Sequence, residues 1–381
     1  MSLRPDVNPE LLRWACERAG LDADALTERF PKLPEWMRAQ SKPTLTQLET
    51  FAKATHTPLG YLFLPAPPVE RVPIPDMRTV GNSRIARPSP NLLETLYICQ
   101  QRQEWYQDFA RVASEERRTF VGSAKQGDDI EDVATRIRAS LGFDLDERRR
   151  IPTWTDALRR FIEQADMLGV LVMVSGVVGS NTHRKLDPEE FRGFALASDL
   201  APLVFINGAD FKAAQMFTLA HELAHLWLGA TALSDVGPVT APTHDIERWC
   251  NEVAAEMLVP MQVFREDYRP KAALQQEVSR LARRFKVSTL VILRRMHDAG
   301  GLSKRGLWKA YEAALERLQD VRRGSGGDFY NTLPVRVSKR FARAVVISTL
   351  EGQTLHRDAF RLLGFKKLET FHQLGHSLGV M

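Results

Sequence analysis

The stretch FKAAQMFTLAHELAHLWLG, from Phe211 to Gly229, decides how the rest of the chain is organised. It is apolar on nearly every face, so we predict a helix buried on all sides, with Gly229 as its C-terminal stop. His221 and His225 are four residues apart, which places both imidazoles on one helix face. They can reach one Zn²⁺, while Glu222, about 100° further round the helix, misses the metal and meets its bound water. The pattern is typical of a zinc hydrolase.

Two histidines do not complete a zinc site, because a catalytic site uses a third protein ligand and leaves one position for water. Downstream, DIERWCNEVAAEMLVP (residues 245–260) predicts an amphipathic helix that Pro260 closes. This helix carries three glutamates, Glu247, Glu252 and Glu256. Its apolar stripe leaves all three open as the missing ligand.

The two segments together resemble a known family. FTLAHELAH (217–225) followed by IERWCNEVAAEMLVP (246–260) is similar to the motifs of ImmA/IrrE metallopeptidases, whose second motif has the form E-x-x-x-N-x-x-A-A-x-x-L-x-P. The resemblance covers roughly residues 130–300. It implies a zincin-like domain in which Glu247 is the third zinc ligand and Asn251 orients a ligand histidine through its other ring nitrogen.

The resemblance also implies a mechanism, in which Glu222 accepts the proton of the water that attacks a peptide carbonyl. Two alternatives remain for the motif. One is a pair of core histidines satisfied by hydrogen bonds. The other is a zinc site that serves structure or sensing, since an intact motif does not guarantee turnover.

The composition is that of an ordinary globular protein, with 44% apolar and 26% charged residues among 381, and it excludes disordered and fibrous classes. The N-terminal segment has no apolar stretch of signal-peptide length, and no apolar run elsewhere could span a bilayer. We therefore expect a cytoplasmic protein without a membrane partner. Cys16, Cys99 and Cys250 form neither a disulfide framework nor a CxxC site, so we expect reduced core residues.

Residues 1–65 predict a small helical domain. Short amphipathic runs alternate with breakers, Asn8 and Thr44 are predicted N-caps, and Gly20 is a predicted helix stop. The arrangement resembles helix-turn-helix domains of phage-repressor type, with residues 24–30 as the first helix of the motif and residues 33–42 as the reading helix.

This second resemblance implies contact with DNA. The residues that it places there are Arg38, Gln40, Ser41 and Lys42, together with Glu35 and Trp36, which face the DNA or flank it. Up to Arg71, however, nine Lys or Arg are balanced by nine Asp or Glu. A neutral helical bundle equally suits docking to a protein partner, so both interpretations stay open.

We predict an α+β, mostly helical fold in four segments. They are a helix-turn-helix domain (1–65), a Pro-rich linker (66–90), a zinc peptidase domain with leading helices (91–322) and a basic C-terminal module (328–381). Strands are predicted within 169–178, 193–197 and 202–207, and C-terminal helices at 337–350 and 358–363.

Residues 278–296 resemble another helix-turn-helix with five arginines, for which packing or substrate positioning is favoured over DNA contact. From Asn331 onward, eight Lys or Arg against three Asp or Glu favour an interaction module.

These features lead to two functional hypotheses. The first is a zinc-dependent, site-specific endopeptidase that acts in transcriptional regulation by cleaving a repressor-type protein, with DNA bound by its own N-terminal domain. The alternative is a DNA-binding regulator or antitoxin of a toxin-antitoxin pair, whose zinc domain is a sensor or scaffold. The expected partners are a repressor or toxin protein and DNA, and a homodimer is left open. In a third interpretation, the N-terminal bundle and the basic tail bind only protein.

Overall fold

The computed structural model describes residues 3–21, 23–78, 87–234, 244–320 and 335–381, without the side chains of 23–25 and 315–320. Over these residues the fold is α+β and mostly helical, which confirms the predicted class. The chain divides into two compact units, Met1–Pro73 with Arg84–Glu94, and Ile74–Ser83 with Thr95–Met381. The predicted domain boundaries stay predictions, and those at 322 and 328 lie outside the described residues.

The first unit consists mainly of short helices around one core. They are α1 (Pro9–Ala19), α2 (Ala23–Arg29), α3 (Leu33–Met37), α4 (Leu45–Ala54) and a 3₁₀ turn (Leu59–Phe63). The predicted caps are confirmed. The Asn8 side chain accepts from the N–H of Glu10, Thr44 forms a reciprocal capping box with Gln47, and Gly20 ends α1 in the left-handed conformation.

α3 ends earlier than predicted, at Met37 instead of Lys42. Arg38 caps the helix, and Ala39 then takes a left-handed conformation with φ 59°, which stops helical propagation. Ser41 Oγ donates to Glu35 Oε2 at 2.8 Å and ties the turn back onto the helix. The reading helix over 33–42 was therefore predicted too long, because local turn chemistry ends it.

Trp36 was also wrongly predicted at the DNA, because it is 3% exposed and packs against Phe30 in the core of the unit. The residues predicted to contact DNA lie at or after the end of α3. Of these, Arg38, Gln40 and Lys42 are exposed, Ser41 is half-buried, and Lys42 forms a surface ion pair with Asp6. Their contact with DNA stays a prediction.

The second unit contains most of the helices. They are α5 (Pro90–Val112, in this unit from Thr95), α6 (Ile130–Leu141), α7 (Leu145–Arg150), α8 (Trp154–Leu168), α9 (Lys212–Trp227), α10 (Asp245–Leu258), α11 (Met261–Asp267), α12 (Leu274–Phe285), α13 (Thr289–Asp298), α14 (Lys304–Asp320), α15 (Lys339–Leu350), α16 (His356–Leu363) and α17 (Leu368–Ser377). Within the described part of the chain, none of the helices combines the length and apolar character needed to cross a membrane.

A small mixed sheet lies beside α9. Its strands are β1 (Leu171–Ser175), β4 (Gly193–Leu196), β5 (Leu203–Asn207) and β6 (Ala232–Ser234), in the order β1-β5-β4-β6, while β2 (Val177–Val178) and β3 (Asn181–Lys185) form a separate hairpin. β4 and β5 pair antiparallel, as the predicted turn between them requires, whereas β1 pairs parallel with β5. β6 has only three residues, which is too short for an alternating pattern to reveal it.

The helix around the histidine motif is buried, as predicted. From Thr218 to Trp227 every side chain of α9 is buried, and α8, α10, β4 and β5 pack around the helix. Its last carbonyls, on Leu226 and Trp227, accept hydrogen bonds from the backbone N–H groups of Gly122 and Ala124 at 3.1 and 2.9 Å. Because these carbonyls are satisfied, the helix can end inside the protein.

The α12–α13 pair is a packing element. Ser288 caps α13 by accepting from the N–H of Val291. Most of its arginines are held in ion pairs: Arg280 with Glu277, Arg284 with Asp267, Arg294 with Asp298 and Arg295 with Glu256. These contacts favour the packing interpretation of residues 278–296 over DNA contact.

The C-terminal helices belong to the second unit. The two predicted helices are found as α15 and α16, and α17 follows them without having been predicted. Arg340 on α15 pairs with Glu115 at 2.7 Å and donates to the Tyr106 hydroxyl at 2.7 Å. At least one of the basic residues of this segment therefore stabilises the fold.

Replacing Arg295 tests the buried ion pair that joins α13 to α10. Arg295 Nη2 lies 2.5 Å from Glu256 Oε2, and both side chains are less than a tenth exposed. Arg295→Met removes the ion-pair partner of the buried Glu256 carboxylate, so we expect a loss of about 3–5 kcal/mol in the free energy of unfolding. Urea unfolding followed by tryptophan fluorescence measures this loss.

The neighbouring Arg294 provides the matched control, because its ion pair with Asp298 is on the surface. Arg294→Met should change the free energy of unfolding by at most about 1 kcal/mol. Equal losses in the two variants would contradict the structural role given to Arg295.

Candidate metal centre

α9 brings its two histidines together at the centre of the second unit. His221 and His225 are both 0% exposed, one turn apart on the same face of the helix. Their Nε2 atoms are 3.1 Å apart, and the rings meet edge to face with centroids separated by 4.8 Å. Two ring nitrogens are thus directed at one point.

Glu247, in the first turn of α10, supplies a carboxylate to the same point. Its Oε2 lies 3.2 Å from His221 Nε2, and its Oε1 lies 3.0 Å from His225 Nε2. The ligand atoms of the three residues lie within 4.8 Å of one another, and all three residues are buried. Such a group can hold a metal ion.

The chemistry of the three donors fits zinc. Two imidazoles and one carboxylate form a donor set of catalytic zinc sites. Asn251, one turn after Glu247, places Oδ1 3.0 Å from His221 Nδ1. Because an amide oxygen only accepts, His221 Nδ1 carries the proton, and the lone pair of Nε2 points to the cluster.

Burial and mutual charge shift the pKa values of the cluster. Burial alone would raise the pKa of Glu247, but the imidazoles of His221 and His225 hold it well below its usual range. Burial lowers the pKa of His225, which favours the neutral ring that a metal ligand must have. Burial and the nearby Glu247 carboxylate raise the pKa of Glu222 well above its ordinary value. Such a carboxyl group is suited to taking up a proton.

Glu222 lies on α9 beside the cluster without joining it. It is 0% exposed, and neither carboxylate oxygen accepts a hydrogen bond of normal geometry from the residues that the structure describes. The nearby Ser234 hydroxyl acts to lower the pKa of Glu222, but a buried carboxylate that is bonded so weakly is costly unless a ligand or water satisfies it. The role of Glu222 as proton acceptor stays a prediction.

Gly193 on β4 makes room for Glu222. A Cβ at this glycine would lie 2.6 Å from Thr218 Cγ2, 2.9 Å from the Phe205 carbonyl and 3.0 Å from Glu222 Oε1. Any side chain would therefore push α9 or the Glu222 carboxylate out of place. Gly193 was not predicted as a site residue, although a lone glycine within a strand pattern signals a close approach of this kind.

The structure distinguishes among the three glutamates that were candidates for the third metal ligand. Glu252 is exposed, and Glu256 is committed to Arg295 and to the backbone N–H of Met261, so of the three Glu247 faces the histidines. Ser234 on β6, which sequence reasoning missed, lies with Oγ 3.4 Å from His225 Nε2 and donates to Glu247 Oε1 at 3.5 Å. A serine carries no ligand signal of its own, so only the fold reveals it.

Comparison with known families agrees with this geometry. Residues 165–297 match the family model of the IrrE N-terminal-like domain, Peptidase_M78, and residues 337–377 match a domain of unknown function, DUF8813. No curated protein matches the chain. The first match contains every residue of the cluster and confirms the peptidase part of the predicted resemblance. The N-terminal helix-turn-helix stays a prediction.

Removing the Glu247 carboxylate tests the metal centre. We expect purified protein to carry stoichiometric zinc, because two imidazoles and a buried carboxylate bind it together. Glu247→Gln should lose most of this zinc, and adding a chelator to the unchanged protein should lower its melting temperature, because metal bound to the folded state stabilises it. Elemental analysis and thermal melts make these measurements.

Glu252→Gln is the matched control, since it removes the exposed glutamate of the same helix. It should keep its zinc and its melting temperature. Full zinc content in Glu247→Gln would show that the metal is held elsewhere.

Proposed function

We propose that this protein is a zinc-dependent endopeptidase that cleaves a specific protein in the control of transcription. The buried cluster of His221, His225 and Glu247, with Glu222 beside it on the same helix, carries the proposal. The match of residues 165–297 to a peptidase family supports it. A metal ligand set next to a separate proton acceptor is what peptide hydrolysis requires.

The chain's own residues divide the chemistry between them. A zinc ion bound by the three ligands would supply Lewis-acid activation of water and of the peptide carbonyl. Glu222 takes the proton that the water loses as its oxygen bonds to the carbonyl carbon, and gives that proton to the amine as the C–N bond breaks. Asn251 holds the His221 ring in one tautomer and orientation through Nδ1.

A regulatory target is favoured over broad degradation by the N-terminal unit. Its helices resemble a repressor domain in sequence, and Arg38, Gln40 and Lys42 are exposed at the end of α3. Exposed cations and amides of this kind contact DNA phosphates and base edges. A DNA-bound repressor or a toxin partner is therefore the substrate or partner that we propose.

The second candidate function is a DNA-binding regulator or antitoxin in which the zinc domain is a sensor or scaffold. The same exposed residues after α3 favour it, since they serve DNA binding whether or not the zinc site turns over. The two functions differ in what they require of Glu222. Only the peptidase needs its carboxylate.

Glu222→Gln tests the peptidase. The amide keeps the shape of the side chain but cannot accept the proton, so we expect cleavage to fall by about 10²–10⁴-fold while zinc content stays unchanged. The assay incubates the purified protein with the product of the neighbouring reading frame and follows cleavage by mass spectrometry. Glu252→Gln is the control and should cleave at the unchanged rate. Undiminished cleavage by Glu222→Gln contradicts the mechanism, and unchanged regulation without cleavage favours the sensor or scaffold.

Arg38→Ala tests DNA binding by the first unit. Losing one guanidinium contact should weaken binding to the protein's own promoter region by about 5–150-fold, because contacts of this strength are worth about 1–3 kcal/mol. Gel shifts at several salt concentrations measure the change. Lys53→Ala, which removes an exposed cation from α4 of the same unit, is the control. Equal affinity of Arg38→Ala and the unchanged protein would exclude this DNA face.

A further inference from the structure

The second unit contains a cavity that shares no residue with the metal centre. It has a volume of about 460 Å³ and is formed by α6, α7, α11, α12 and the segment between α6 and α7. Four arginines line it, namely Arg138, Arg148, Arg149 and Arg284, and the rings of Phe143 and Phe285 form part of its wall. Such a volume is in the range of small-molecule sites.

Arg148 is the unusual residue of this cavity, because it is a buried cation without a counterion. It is 4% exposed, its Nη2 donates to the Lys286 carbonyl at 3.1 Å, and its guanidinium lies 4.7 Å from the centroid of the Phe143 ring. Within the described residues, neither Nε nor Nη1 has a hydrogen-bond partner, and no carboxylate forms an ion pair with Arg148. Burial lowers the pKa of Arg148 to about 9. Buried charges are otherwise paired, since an isolated one is costly.

The neighbouring arginines add to the positive charge of this cavity. Arg138 donates to two neutral oxygens, the Glu256 carbonyl at 2.9 Å and the Thr135 hydroxyl at 2.8 Å. Arg149 is exposed, and neither it nor Arg138 forms an ion pair with a carboxylate of the described residues, although the charges of Glu256 and Glu131 act on Arg138 from a greater distance. Arg284 differs, because it is paired with Asp267. Three guanidinium groups thus line the cavity without an ion pair to the described residues.

Lys286 adds a further positive charge next to Arg148. It is 7% exposed, and its ammonium group lies 5.8 Å from the centroid of the Trp154 ring. Burial and the charge of Arg148 lower the pKa of Lys286. A second cation, itself 7% exposed, thus lies within electrostatic reach of Arg148.

The acidic residues of the cavity do not neutralise Arg148. Asp144 caps α7 by accepting from the N–H groups of Asp146 and Glu147, and Asp144, Asp146 and Glu266 are all exposed. None of the three forms an ion pair with Arg148.

We propose that this cavity binds a phosphate group, held by Arg148 together with Arg138 and Arg149. A guanidinium presents two parallel N–H donors that match phosphate oxygens, and a phosphate dianion balances more than one of the cations. The group is either free inorganic phosphate or the phosphate of a small molecule such as a nucleotide, and the aromatic walls leave room for the larger ligand.

Thermal melts of the full-length protein in inorganic phosphate test the proposal. Ligand bound to the folded state raises the melting temperature, so millimolar phosphate should raise it by about 2–4 °C more than sodium chloride of equal ionic strength. AMP in place of phosphate identifies the source of the group. Saturation at a lower concentration of AMP indicates a nucleotide, and no gain over phosphate indicates the free ion.

Arg148→Met locates the site, because it removes the charge and keeps an apolar stem. The variant should lose the rise caused by phosphate, while Arg159→Met, which removes an exposed arginine of α8, should keep it. If Arg148→Met does not fold, titration calorimetry of Arg149→Met should show binding at least about 5-fold weaker than that of the unchanged protein.

An unchanged protein that does not respond to phosphate overturns the proposal. An undiminished response in Arg148→Met overturns it as well, since phosphate bound at the metal centre would persist there.

Discussion

The contact between the Glu247 carboxylate and the two ring nitrogens of His221 and His225 is the constraint on which the rest of the second unit depends. A carboxylate at 3% exposure must be balanced by positive charge, which a metal ion bound together with the two nitrogens, 3.0 and 3.2 Å away, would supply. Holding these atoms together requires α10 to pack along α9. It also requires β4 to pass so close to α9 that only glycine fits at position 193.

Most of the candidate centre could be predicted from the sequence, because helix geometry fixes relations between residues four apart. The four-residue spacing of His221 and His225 predicts that both lie on one face of the helix. The resemblance of the second motif implies that Glu247 is a ligand and that Asn251 orients a ligand histidine. Spacing alone could not identify which glutamate of α10 is the third ligand. That depends on Arg295, which lies on another helix and forms an ion pair with Glu256. Ser234 was missed for the same reason, because it reaches the cluster from a short edge strand.

The fold was predictable where a residue with a known capping preference decides a helix end, and less so elsewhere. The caps at Asn8 and Thr44 follow from side chains that bond their own backbone neighbours. The early end of α3 follows from the left-handed Ala39, a position where sequence gives no glycine signal. Counting charges in the sequence likewise does not predict which arginines are paired, because nothing in the sequence distinguishes Arg295 from Arg148. Arg295 is paired with Glu256 in the core, whereas Arg148 is buried without an ion pair to any carboxylate of the described residues.

The central claim is that zinc is held by His221, His225 and Glu247, and X-ray absorption at the zinc edge of the purified protein tests it most directly. The claim predicts a first shell of nitrogen and oxygen alone, at about 2.0–2.2 Å, with the imidazole scattering of two histidines. Cys250 is buried on α10, and proximity to Glu247 and Glu222 adds to the rise that burial causes in the pKa of its thiol. A sulfur shell at about 2.3 Å, or a shell without histidine scattering, would contradict the claim.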